Sequence, residues 1–412
     1  MINYEEFKLE NGLKVIFHQD KTTPLAVVNV LYDVGARDED EQRTGFAHLF
    51  EHLMFGGSKN IPNFDTPLQM AGGECNAFTS NDITNYYDTV PAQNIETAFW
   101  LESDRMLELA FTSKSLEVQR GVVIEEFKQR YLNQPYGDVW LNFRPLIYKN
   151  HPYKWATIGK EIEHIEKATM EDVKDFFFKH YSPQNAILVV GGNVELNDVK
   201  TLTEKWFGPI PAREKYVRNI PSEPEQSEAR ELIIERDVPS DALYMAFRMG
   251  DRTSDEHYIG DLCSDIIAGS KSSRLYNRLI VEEKKFTSIS AYITGSLEAG
   301  LFVISGHLNK ETTFEEAEAF IWEELDQIKS EMMDPNELTK VKNKHKTSKV
   351  FSEQNLLNRV MNIAFFENMG LLHDINNVLT HYDEITAEDI RDFSQRIFAP
   401  NKQSVLKVKI KK

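Results

Sequence analysis

Cysteine is almost missing from this chain, with Cys75 and Cys263 standing alone among 412 residues. Two thiols so far apart in sequence cannot build a disulfide scaffold, so both are expected to be free, as in a reducing compartment. Long apolar runs are missing as well. No stretch approaches the roughly 18 apolar residues of a membrane-spanning helix. The opening MINYEEFKLENG has neither the basic start nor the apolar core of a secretory signal, which makes a soluble, cytoplasmic chain the expectation. Positive charge is in deficit: 47 Lys and Arg stand against 65 Asp and Glu, a formal charge of -18. Such a field repels phosphate, which excludes nucleic acid and anionic membrane as main partners and leaves peptides, basic ones included, as ligands.

Apolar residues make up 41% of the chain, enough to build two cores of about 200 residues each. FKLENGLKVIFHQD reads as two short strands around the Asn11-Gly12 turn, and LAVVNVLYDVG as a third strand rich in β-branched residues. Helical periodicity then dominates from Thr44 to Gly56 and through NIETAFWLESDRMLELAF and SLEVQRGVVIEEFKQRYL, before NAILVVGGNV closes the half as a buried strand. An α+β domain follows, one sheet with helices packed on it. Between Gly208 and Arg230 the chain carries four prolines, many charges and few large apolar residues, the profile of an exposed linker. The expected organisation is therefore a domain over 1–212, a linker over 213–230 and a second domain over 231–412.

An internal repeat supports the division. ATMEDVKDFFFKHYSPQN, from Ala168, matches ITAEDIRDFSQRIFAPNK, from Ile385, with Thr169 and Thr386, Asp172 and Asp389, and Pro183 and Pro400 at one constant offset, 386 − 169 = 400 − 183 = 217. In each copy a Thr N-cap opens a helix with acids in its first turn, and a proline leads into an apolar strand. Two tandem homologous domains follow from this.

The chemistry is concentrated in GFAHLFEHLMFGGS, Gly45 to Ser58. On a helix, positions i, i+3 and i+4 share one narrow arc, so His48, Glu51 and His52 face one point. Two imidazoles at i and i+4 can both reach a Zn²⁺ ion, leaving positions for a third ligand and a water. Glu51, beside that water, suits the role of general base rather than ligand. The order H-x-x-E-H is the inverse of the commoner zinc-protease signature. A third ligand is offered by GVVIEEFKQR, where Glu125 and Glu126 lie in a helix; adjacent helical residues diverge by about 100°, so at most one faces the metal, and spacing alone does not choose.

Taken in order, HLFEH, GGECNAFTSNDITNYY, EVQRGVVIEEF, HPYKWATIG and the strand ending VVGGNV resemble the pitrilysin/insulinase family of zinc peptidases over nearly the whole chain, in its short-chain, processing-peptidase-like form. The resemblance implies one zinc per chain held by His48, His52 and Glu126, with Glu51 as catalytic base. It also implies that Asn76 holds substrate backbone near the metal, and that the Ala77–Ser80 stretch, with Ala77 and Phe78, is an edge strand on which a peptide substrate lies by β-augmentation. Gln119 stands seven residues before Glu126, where the family often has a supporting glutamate; an amide there can hydrogen-bond but adds no charge.

The second half departs from the pattern. The 217-residue offset carries His48, His52 and Glu126 to Asp265, Gly269 and Asn343, so no metal site is expected there. Active relatives keep in this half an arginine and a tyrosine that close over the substrate; the matching positions in RLIVEEKKFTSISAY are Ile280 and Thr287, with Arg278 and Tyr292 nearby at a spacing that does not fit. The resemblance then implies a zinc endopeptidase of short or unfolded peptides, completed by an Arg/Tyr pair from a related partner chain in a heterodimer, with a homodimer as the other arrangement. The alternative function is a non-catalytic peptide-binding or structural subunit.

Overall fold

The two copies of the repeat fold alike. In the computed structural model, which describes residues 1–411, Thr169 and Thr386 each accept the N–H of the aspartate three residues on, and Asp172 and Asp389 each return the contact to the threonine N–H. These reciprocal boxes start the helices Met170–His180 and Ala387–Ile397 and satisfy backbone donors that would otherwise be orphaned. Each helix then delivers the chain, through a proline turn, into a central strand.

The strands of the first half are β1 (Glu5–Lys8), β2 (Lys14–Gln19), β3 (Leu25–Tyr32), β4 (Glu74–Thr79), β5 (Thr84–Pro91) and β6 (Ala186–Gly192). They form one six-stranded sheet in the order β1-β2-β6-β3-β5-β4. Only the β2/β6 pair is parallel. The second half supplies β7 (Arg230–Arg236), β8 (Ala242–Arg248), β9 (Phe286–Ile293), β10 (Leu301–Leu308) and β11 (Gln403–Ile410) in the order β7-β11-β8-β10-β9, again with one parallel pair, β7/β11. Leaving β1 aside, the two orders correspond strand for strand. The central strands β3 and β6 are apolar on both faces and buried, as their Val- and Leu-rich sequences require of strands covered by helices on both sides.

Those covering helices do not all come from the half they cover. One compact unit consists of Met1–Gln129, Trp155–Pro221 and Val350–Asn376; the other consists of Arg130–Lys154, Ser222–Lys349 and the chain from Asn377 on. The helix Leu356–Asn368 therefore belongs with the first sheet, where Val360, Ile363 and Ala364 pack with Ile16, Val27, Leu31 and Val189. In the second unit, Val139, Phe143 and Ile147 of the helix Val139–Ile147 pack with Ala242, Ala246, Val303 and Leu406. The two helices are repeat equivalents, since 356 − 139 = 217, and each half of the chain has given the other the same piece.

Close approach of the Leu356–Asn368 helix is made possible by Gly191 on β6, where a Cβ would sit 2.3 Å from Val360 Cγ2. The proline-rich stretch after Pro211 is irregular, as its composition predicts, yet it is pinned. In the first unit, Arg213 donates to the carbonyls of Tyr181 and Leu107, and Arg218 pairs with Asp33 and Asp38. In the second unit, Glu223 accepts the N–H groups of Lys149, Asn150 and His151.

Two fully packed imidazoles give the fold an acid-sensitive side. His180, with no exposed surface, lies against Phe176 and Tyr216, and burial, aided by the charges of Lys179 and Arg218, pulls its pKa down to about 3. Burial, with the charge of Arg252, does the same to His257 in the second unit, again to about 3. Their folded pKa values lie below the unfolded one, so the unfolded chain binds protons that the folded chain refuses as pH falls from about 6.5 towards 3, and stability drops in that window. The expected slope is about 1.4 kcal/mol per pH unit for each histidine, and His180→Phe flattens the dependence of the urea midpoint between pH 6 and 4. Gly191→Val forces the Leu356–Asn368 helix off its sheet; the expected loss, read as a lowered thermal midpoint, is about 1–3 kcal/mol.

Candidate metal centre

A glycine lets the chain turn into the helix that carries the chemistry. Gly45 has φ 88° and leads directly into Phe46–Leu53, where a side chain at 45 would strike the carbonyl of Ile158. The first turn of this helix is capped from outside its own sequence: the buried carboxyl of Glu39 accepts the N–H groups of Gly45 (2.9 Å) and Ala47 (2.8 Å). Burial pushes the Glu39 pKa up to about 8, against those two donors, which favour the charged form. The inward face of the helix buries Phe46, Leu49, Phe50 and Leu53.

Its other face carries His48 and His52, whose rings meet edge to face with centroids 4.8 Å apart. The helix Ser113–Phe127, opened by Thr112 accepting the N–H of Ser115, packs against it and presents Glu126. Glu126 Oε2 lies 3.6 Å from His48 Nε2 and 3.3 Å from His52 Nε2. Among the described residues, His48, His52 and Glu126 are the group of His, Cys and acidic side chains whose ligand atoms all lie within 4.8 Å of one another. Of the two adjacent acids, Glu125 points away, 62% exposed and paired with Lys128, which settles the geometric choice that spacing left open.

The donor set fits a zinc ion. Two imidazole nitrogens and one carboxylate oxygen, half-buried and convergent, are what a three-ligand site with an open fourth position requires. Glu51, one residue before His52, stands apart from this trio and accepts a hydrogen bond of 2.6 Å from the Thr79 hydroxyl. Tyr86, fully buried on β5, has its hydroxyl pKa raised by burial, with Tyr181 and the Glu51 charge adding to the effect.

The strand residues fall on two faces. β4 is the edge of the sheet, with Glu74, Asn76 and Phe78 exposed and Cys75, Ala77 and Thr79 half-buried. Asn76 Oδ1 accepts the N–H of Ala77. Gln119 is half-buried on the Glu126 helix, its amide directed towards Gly56. Sequence reading assigned nothing to Glu39, and gave Thr79 only a place on the Ala77–Ser80 edge strand. An acid buried ahead of a helix N-terminus carries no motif, whereas Thr79 could have been found from the alternation of NAFT, which places it on the same side of the strand as Ala77.

At the equivalent place in the second unit, Asp265 and Asp261 on the helix Asp255–Ala268 face His345, where the first unit has His48 and His52 facing Glu126. His345 Nε2 is 3.0 Å from Asp265 and its Nδ1 is 3.5 Å from Asp261, while Lys344 reaches Asp265 at 2.6 Å. Burial pushes the Asp265 carboxyl up, but His345 and Lys344 outweigh it and leave its pKa below the ordinary value. Of the positions considered for substrate closure, Ile280 has no polar group, Thr287 donates to the carbonyl of His307, and Arg278 is paired with Glu323 over the Phe320 ring.

Known proteins resemble this chain in sequence and in fold. The family profile described as "Insulinase (Peptidase family M16)" matches residues 14–145, and that described as "Peptidase M16 inactive domain" matches residues 167–344. The chain is similar to the zinc protease PqqE of Helicobacter pylori, 32% identical over 291 residues, covering 69% of this chain and 65% of that protein. It is also similar to the mitochondrial-processing peptidase subunit beta of Saccharomyces cerevisiae, 29% identical over 213 residues, 51% of this chain and 46% of that one. The matched stretches thus span less than two thirds of either relative's own length. The crystal structure of a protease from Helicobacter pylori superposes with a TM-score of 0.93 at 26% identity, covering 99% of this chain and 100% of that one. Paired sheets of matching topology, an inverted His-x-x-Glu-His helix facing a glutamate and these likenesses together carry one conclusion: the chain belongs to the insulinase (pitrilysin, M16) family of zinc proteases.

Proposed function

We propose that the chain is a zinc-dependent endopeptidase of short or unfolded peptides, in which His48, His52 and Glu126 hold one zinc ion and Glu51 is the general base. The observation that carries the reading is the convergence of those three donors beside the Phe46–Leu53 helix, the same helix that carries Glu51. Zinc, when bound, supplies Lewis-acid polarisation of the scissile carbonyl and lowers the proton affinity of water. Glu51 takes a proton from the attacking water onto its carboxylate and hands it to the departing amine. The β4 edge supplies backbone N–H and C=O groups at Asn76, Ala77 and Phe78 that pair with an extended peptide, which orients the scissile bond. Folded proteins, whose backbone is already paired, make poor substrates for such an edge.

The same proposal includes a partner. Ile280 offers no donor and the Thr287 hydroxyl is occupied by His307, so charge developing on the substrate oxygen needs donors from elsewhere. A related chain carrying an arginine and a tyrosine supplies them in a heterodimer; a relative named as subunit beta of a processing peptidase supports that arrangement. A second copy of this chain is the other candidate. The free thiols of Cys75 and Cys263 support a cytoplasmic setting. A second reading, a peptide-binding subunit that does not cut, draws on the match of residues 167–344 to a profile described as inactive.

Metal content separates the two readings. Protein purified without added metal is expected to hold about one zinc per chain, and His48→Ala or Glu126→Gln to lose it. Glu51→Gln keeps the zinc and lowers hydrolysis of a fluorescence-quenched peptide by about 10²–10⁴-fold. A metal-free wild-type chain, or a Glu51→Gln variant as active as wild type, sinks the peptidase reading. For the partner, the expected result is slow turnover by the isolated chain and an increase of at least about tenfold when a related chain from the same source is added. Equal rates with and without it refute the heterodimer.

A further inference from the structure

Thr79 is the last residue of β4, and three facts about it come together. It lies on the sheet edge, the strand proposed to receive the peptide. Its side chain is on the half-buried face with Cys75 and Ala77, the face that packs against the Phe46–Leu53 helix, while Asn76 and Phe78 are exposed. Its hydroxyl donates to Glu51 Oε2 at 2.6 Å, the length of a charge-assisted O–H···O⁻ bond.

The position is well held. Thr79 pairs with Thr84 in the β4/β5 ladder, and the next residue closes the turn through Ser80 N–H to the Ile83 carbonyl. Thr84 in turn donates to the Val34 carbonyl. A β-branched side chain in a strand has little freedom about χ1, so the backbone of β4 fixes the direction of the Thr79 hydroxyl. A glutamate on a helix has three rotatable bonds, so the direction of its carboxylate depends on the groups it touches.

We propose that Thr79 is a positioning residue for Glu51, holding its carboxylate in the productive orientation and tying it to the strand on which the peptide docks. The inference rests on the reading of Glu51 as general base. One bond then makes two alignments interdependent: a peptide that pairs with β4 firms the strand, and the strand fixes the base. Removing the hydroxyl takes away that hold on the carboxylate and leaves the donors His48, His52 and Glu126 in place. The loss falls on turnover rather than on peptide affinity or metal retention.

The test compares wild type, Thr79→Val, Thr79→Ser and Glu51→Gln, all zinc-loaded, with the related chain added where turnover requires it. Thr79→Val is nearly isosteric and is expected to lower kcat by about 10–100-fold, with KM within about twofold and bound zinc unchanged. Thr79→Ser restores the hydroxyl and is expected to recover kcat to within about threefold of wild type, short of full recovery because the β-branch is lost. A readout independent of turnover is calorimetric binding of a peptide hydroxamate, which gives its proton to the base on binding; affinity is expected to fall about tenfold in Thr79→Val. A Thr79→Val protein with wild-type kcat and hydroxamate affinity overturns the proposal. So does a rise in KM at constant kcat, which makes Thr79 a peptide-docking residue, or a Ser variant as impaired as Val, which makes the β-branch rather than the hydroxyl the cause. Hydrolysis that survives Glu51→Gln overturns the peptidase reading itself, whatever the Thr79 variants do.

Discussion

Two imidazoles and a carboxylate will not stay within 4.8 Å of one another unless the chain around them is rigid, and the first unit is arranged to supply that rigidity. The short Phe46–Leu53 helix lacks the length to stand alone, since isolated helices below about 12–15 residues are marginal in water. It is fixed instead at three places. Glu39 caps its first turn, aromatic packing of Phe50 on Phe176 and Tyr181 anchors its inner side, and beyond its end Phe55 lies over a fully buried Arg105. Arg105 also rests on Phe64 and Tyr86 and is paired with Glu102, which likewise has no exposed surface. Such a pair adds little net stability because desolvation offsets its attraction, but losing one partner is costly, which favours a single arrangement of the chain leaving the Phe46–Leu53 helix.

The second unit carries a different set of side chains at the equivalent place. Where the first unit brings two histidines to one glutamate, the second brings two aspartates to one histidine, with Lys344 on one carboxylate and Tyr382 donating to the other. Donor and acceptor roles are exchanged. Lys344 supplies a positive charge beside the carboxylates from within the protein, which offsets part of the cost of burying them.

Much of this was legible in the sequence, and the reasons differ by element. The H-x-x-E-H spacing named three side chains because a helix of 3.6 residues per turn leaves them no other mutual direction. The Asn11-Gly12 hairpin and the threonine-capped helices were legible because each rests on contacts close in sequence, and the β3 and β6 strands because a short apolar, β-branched run marks a buried strand. The choice between Glu125 and Glu126 was not, since it depends on how one helix rolls against another, and only the resemblance pointed to Glu126. Glu39 escaped notice because its partners are backbone N–H groups, which every sequence has. The exchange of Val139–Ile147 and Leu356–Asn368 was also hidden: an amphipathic helix records that it has a partner sheet, not which one.

That exchange has a consequence for how the protein is made. A ribosome releases the chain from its first residue onward, and every strand of the first sheet has emerged once Gly192 is free. The helix that covers Ile16, Val27, Leu31 and Val189 is not synthesised until residues 356–368, more than 160 residues later. At about 5–20 residues per second, this leaves an apolar sheet face open for roughly ten to thirty seconds. During that interval the nascent first half is a natural client for a chaperone.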